Sequence, residues 1–222
     1  MLWFNSKLTE VAPKTFDRAY DGVSISKITE NLLAKENNAK EGDVISFSGK
    51  SDVSNIIKAK TDSDISHVGM VLKKQLVGGD QRVLIIESTS LNNLPDIYTG
   101  KPFKGVQIQY LSDRMNDYSG QVYWRKVRNP LSEGEKAKLV IFLMMIHKMQ
   151  IEYDTVQAVG AGCDLFDILF ANVENHEKLF CSELVAAAFE YIGLLPRDYN
   201  TSEATPADVI KYPFLGDRVQ IK

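Results

Sequence analysis

The sequence predicts an α+β domain, with a central antiparallel sheet and helices packed on it. Three observations carry that prediction. Short β-rich runs at residues 44–47, 66–72, 82–88, 106–110 and 121–127 are separated by turn-forming sequence. Two of them flank Gly78-Gly79-Asp80 and read as a hairpin. The strongest helical patterns, at 132–149 and from Cys181 onward, come after the strands as a block, which suits segregated layers better than alternating βαβ units.

Taken in order, residues 1–40 read as an N-terminal extension, partly helical because Ile25, Ile28, Leu32 and Leu33 share one face of a helix over 24–37. Residues 41–222 read as the main domain. Glu41-Gly42-Asp43 turns the chain into the first strand, and a short helix is expected at 53–60. The helix at 132–149 opens on Ser132-Glu133-Gly134-Glu135, a capping-box pattern, before an apolar interior. Gly160-Ala161-Gly162 then breaks the chain ahead of a short helix at 164–170. Near the end, Thr205-Pro206-Ala207-Asp208 places proline at a first helical position, and 218–221 reads as a closing strand.

Composition narrows the function classes. A chain of 222 residues supports one substantial core, and 44% hydrophobic with 25% charged residues is ordinary for a folded globular domain. A net charge of −3 gives no electrostatic case for nucleic acid as a partner. The longest apolar run, 139–146, is too short to cross a bilayer as a helix, so no integral membrane segment is expected. The start of the chain lacks the pattern of a secretory signal, and two cysteines, Cys163 and Cys181, make no disulfide framework. A cytoplasmic or other reduced compartment is expected.

Cys181 is the residue with the most chemistry in its position. It stands where the polar loop 174–180 runs into a helix, and the free N–H groups of a first helical turn favour thiolate over thiol. Cys181, Leu184, Val185, Ala188, Phe189 and Ile192 fall on one apolar stripe, which aims the sulfur inward. Ser182 and Glu183 occupy the first turn, where a hydroxyl and a carboxylate complement the free N–H groups. Two readings stand at this point: a reactive thiol, or one of the many buried cysteines that only pack.

A nucleophilic thiol needs a base, and the chain has three histidines. His147 ends the apolar helix beside Lys148, a structural position for a cation at a helix C-terminus. His176 lies in the polar loop and reads as surface. His67 lies in a strand, on one face with Gly69 and Val71, while Val83, Ile85 and Glu87 share a face of the next strand. Glu87 would accept from one ring nitrogen of His67 and leave the other for sulfur. The alternative is a core histidine satisfied by a neighbouring acid.

Gly42-Asp43-Val44-Ile45, Ser66-His67-Val68-Gly69-Met70-Val71, Ile85-Ile86-Glu87-Ser88, Tyr153-Asp154 and Phe180-Cys181-Ser182-Glu183-Leu184-Val185 occur in the order found in a known group. With them the chain resembles the circularly permuted branch of the NlpC-like, papain-fold cysteine hydrolases, which includes YiiX-like bacterial and related poxviral proteins. The match runs from about Glu41 to Tyr212. The resemblance implies a permuted papain-like fold, its sheet sometimes closed into a partial barrel. It further implies Cys181 as nucleophile, His67 as base and Glu87 as the residue orienting His67, with Tyr153 near the oxyanion or the substrate. No cofactor and no metal are implied. The substrate class is an acyl amide, a peptide or a lipid-like molecule, cleaved through an acyl-enzyme. The alternative function is a catalytically silent binding or structural module on the same fold. Metal binding by His67, Glu87 and Cys181 is a third possibility, but their spacing matches no typical zinc pattern.

Overall fold

The structure is a computed structural model, described over residues 38–78, 80–150 and 180–222. The extension before residue 38, Tyr153, Cys163, His176, the glycine break at 160–162 and the helix expected at 164–170 lie outside those residues. The described chain is an α+β arrangement. Its elements are β1 (Val44–Ser48), α1 (Asp52–Thr61), β2 (His67–Val77), β3 (Asp80–Thr89), β4 (Gly105–Tyr110), α2 (Leu111–Asp117), β5 (Gln121–Arg125), α3 (Glu133–Lys148), α4 (Phe180–Tyr191), a 3-10 turn (Thr201–Glu203), α5 (Pro206–Val209) and β6 (Val219–Gln220). Among the described residues the strands form one six-stranded antiparallel sheet, in the order β4-β3-β2-β1-β5-β6.

The β2–β3 hairpin runs past the expected end at residue 72, out to Val77 and back from Asp80. Lys73, Lys74 and Gln75 end the apolar pattern, but backbone pairing needs no apolar side chain, so the ladder continues to the turn at Gly78. At the other end of the sheet, β5 stops at Arg125 instead of residue 127, and Val127 makes an isolated bridge to Leu215. One element, α2, was not expected: seven residues after β4, with Leu111 and Met115 one turn apart on its buried side.

Side-chain alternation gives the sheet two apolar faces. Val44, Val68, Met70, Leu84, Ile86, Val106 and Ile108 face a large core completed by α3 and α4. Ile45, Phe47, Val71, Val83, Ile85, Val122 and Trp124 face a smaller core closed by Leu111 and Met115. The expected stripe on α4 is wider than a stripe, since every residue from Cys181 to Phe189 is buried. The helix packs against β2, β3, α3 and α5 at once, and Ala186, Ala187 and Ala188 leave room for that enclosure. Both helix-start signals act as their chemistry requires. Ser132 and Glu135 close a capping box on α3, and Thr205 and Asp208 do the same on α5 with Pro206 inside it. Among the described residues no helix is long and apolar enough to cross a membrane.

Asp43 fixes the start of the sheet. It is buried and accepts from the backbone N–H of Lys40 (2.9 Å) and Val127 (3.0 Å) and from the indole Nε1 of Trp124 (2.9 Å), so one carboxylate joins the first turn to the chain leaving β5. Asp43→Ala strands those buried donors and is expected to cost roughly 2–4 kcal/mol, measured as a lower midpoint in urea unfolding.

Candidate active site

The candidate site is assembled at one end of the sheet from three elements. β1 ends at Ser48, α1 crosses over, and the chain re-enters the sheet at His67, the first residue of β2. Ser66 secures that return: its hydroxyl donates to the Phe47 carbonyl and accepts from Gly49 N–H (3.0 Å). Starting the strand, His67 stands at its open end, with the imidazole side chain 16% exposed. β3 contributes Glu87. Met70 pairs with Ile86, which sets Gly69 beside Glu87. A Cβ on Gly69 would come within 3.1 Å of both Glu87 Cβ and the Ile86 carbonyl oxygen, so glycine there makes room for the acid.

Glu87 is fully buried, and its Oε2 lies 2.5 Å from His67 Nε2. The other ring nitrogen, Nδ1, is left for sulfur, and the imidazole shares a hydrogen bond with the side chain of Cys181, in the first turn of α4. Burial opposes charge on the ring, but the negative charge of Cys181, its hydrogen bond and the Glu87 carboxylate outweigh it, raising His67 from 6.5 to about 9. The ring therefore keeps its own proton at neutral pH, and Nε2–H donates to Glu87. Cys181 itself is only 3% exposed.

Burial also opposes ionisation of Glu87, and it is overcome by the Arg114 guanidinium together with His67, which hold the carboxyl down to about 2. Arg114, on α2, donates from Nε to Glu87 Oε1 and is itself buried. Its guanidinium lies 4.9 Å from the Phe47 ring centroid and 5.0 Å from that of Tyr118. Phe47 also lies against His67, with centroids 5.3 Å apart. The sequence held only a faint signal for Arg114: an arginine between Leu111 and Met115 on a helix too short to stand out. A buried acid with two oxygens invites a second partner, but nothing in the sequence says which residue supplies it.

The remaining candidates fall elsewhere. His147 keeps a structural role, though not through the helix dipole: Nε2 lies 2.8 Å from Asp96 Oδ2, and both side chains are buried. Asp96 also accepts from the N–H groups of Tyr98, Thr99 and Ile108, which ties the loop after β3 to β4. Glu183 stands in the first turn of α4. It is buried, and burial pushes its carboxyl up to about 8. Among the described residues no group of three or more His, Cys, Asp and Glu side chains could hold a metal ion.

The pairings fix a pH window for stability. Glu87 contributes stability that is present above its ordinary 4.5 and lost as the pH falls toward about 2. The contribution of His67 is whole below 6.5 and lost as the pH rises through about 9. Glu87→Gln, which leaves Arg114 and His67 without their anion, is expected to cost about 3–5 kcal/mol near neutral pH. In urea unfolding, the gap between wild type and variant should be widest from about pH 4.5 to 6.5 and narrower beyond pH 9.

No protein-family model matches the chain, and no curated protein matches it. Among solved structures it is similar to the crystal structure of the metalloprotein YiiX from Escherichia coli O157:H7, described as DUF1105. The two are 16% identical, the alignment covers 81% of this chain and 96% of that one, and the TM-score is 0.48.

Proposed function

We propose that the protein is a cysteine hydrolase of the permuted papain-like kind, cleaving an amide or a related ester or thioester through an acyl-enzyme. One observation carries this reading: a single imidazole is hydrogen-bonded at once to a buried carboxylate and to the only cysteine among the described residues. A histidine serving the core alone needs no thiol on its second nitrogen.

In the proposed reaction the sulfur of Cys181 attacks the substrate carbonyl carbon, forming a C–S bond and a tetrahedral oxyanion. The backbone N–H of Cys181, in the first turn of α4, is proposed as the main oxyanion donor, and Tyr153 as a substrate-positioning hydroxyl. The C–N bond breaks as His67 gives its Nδ1 proton to the leaving amine. Neutral His67 then takes a proton from water, which attacks the thioester. The C–S bond breaks, the acid leaves, and His67 again holds the proton beside sulfur. Glu87 keeps the ring oriented and compensates its charge in both halves. The substrate is proposed to be an acyl amide, peptide or lipid-like molecule.

A second reading, a catalytically silent binding module, is favoured by the near-complete burial of Cys181. Alkylation by iodoacetamide separates the two. At about pH 6 an ordinary thiol is less than about 1% ionised. Under those conditions the hydrolase reading expects Cys181 to be alkylated about 10–100-fold faster than in His67→Ala. Equal rates in the two proteins favour the silent module. Because His67 is the acid of the first half-reaction, acylation by an activated acyl amide should also fall as the pH rises past about 9, read as the burst of acyl-enzyme in intact-protein mass spectra.

A further inference from the structure

Arg114 makes one hydrogen bond in this neighbourhood, to Glu87, yet it is buried at considerable desolvation cost. Its Nη1 and Nη2 are enclosed with no hydrogen-bond partner among the described residues, and the guanidinium lies against the rings of Phe47 and Tyr118. If the acid needed only a hydrogen-bond donor, a neutral side chain would serve without that cost. What a guanidinium adds is a permanent positive charge. A guanidinium keeps that charge in a protein, and here it lies against two aromatic rings that also touch each other.

We propose that Arg114 is a positioning residue that sets the proton affinity of His67 through Glu87. The four groups in line, Arg114, Glu87, His67 and Cys181, sum to zero charge when the proton is on the imidazole. Without Arg114 the same three groups carry a net negative charge in a buried place, and every proton in the cluster is held more tightly. A histidine that holds its proton too tightly is a poor general acid. Arg114 therefore moderates the grip of Glu87 on the ring while keeping Glu87 ionised.

Among the described residues, the charged and titratable groups in this neighbourhood are Glu87 from β3, Cys181 from α4, and Arg114 with Tyr118 from α2 and the residue following it; Glu183 lies two residues beyond Cys181. β1 offers only the aromatic face of Phe47. Tyr118 is a neutral phenol bonded to Ser66 and pushed up by burial, so it does not replace the arginine charge.

As an account of the proton on His67 this stands apart from turnover; its bearing on rate rests on the hydrolase reading. The experiment is an NMR titration of the His67 imidazole nitrogens in the full chain. Arg114→Met is expected to raise the His67 midpoint by about 1 unit, and Arg114→Lys, which keeps the charge, to leave it near the wild-type value. If Arg114→Met does not fold, Arg114→Gln removes the same charge while keeping a polar side chain beside Glu87 and is expected to raise the His67 midpoint likewise. A His67 midpoint unmoved by loss of the arginine charge in a folded protein overturns the proposal. A Cys181→Ser control distinguishes the other failure. If it leaves the His67 midpoint unmoved, the sulfur–imidazole pairing of the hydrolase reading is wrong, whatever Arg114 does.

Discussion

A fully buried carboxylate with no solvent on either oxygen has to be paired twice, and most of what is specific in this protein follows from pairing Glu87. One oxygen takes His67 and the other takes Arg114. To reach the first, β2 and β3 must hold the register that sets Gly69 beside Glu87, since a one-residue slip would turn the acid to the opposite face. To reach the second, the chain must fold back as α2 immediately after β4, bringing Arg114 against Phe47 and Tyr118. The smaller core is in this sense built around an ion pair, and its aromatic residues enclose the charges they border.

The molecule contains a useful contrast in its second histidine–carboxylate pair. Asp96 and His147 are buried too and closer to ideal hydrogen-bond length, but Asp96 also accepts from three backbone N–H groups that shape its loop. Its oxygens are committed to holding structure. Among the described residues Glu87 accepts from two side chains, both cationic, and the imidazole of one also shares a hydrogen bond with the side chain of Cys181. A histidine–carboxylate pair is a loop staple in one place and part of a line of charged groups in the other. The difference lies in what else the carboxylate must satisfy.

The sheet was legible because β-branched runs and glycine turns dictate it, and the hairpin was legible enough to place His67 and Glu87 on adjoining strands. Cys181 was legible from its position at a helix start. Three things were hidden for physical reasons. Arg114 sits on a helix of two turns, too short for periodicity to declare itself. Glu183 reads as a first-turn acid, but every residue from Cys181 to Phe189 is buried, and no pattern within twelve residues reveals what surrounds a helix. The ladder from Lys73 to Val77 is maintained by backbone pairing after the hydrophobic signal has stopped.

The central claim is that the buried anion of Glu87 keeps the proton on His67 and so leaves negative charge on Cys181. Ultraviolet thiolate absorption, taken as the difference between the wild-type protein and Cys181→Ser, tests it directly when repeated in a Glu87→Gln background. The account requires thiolate absorption in slightly acidic solution for the wild type and its marked loss when Glu87 becomes Gln. Equal absorption with and without the Glu87 carboxylate, or none in the wild type until strongly alkaline pH, would contradict it.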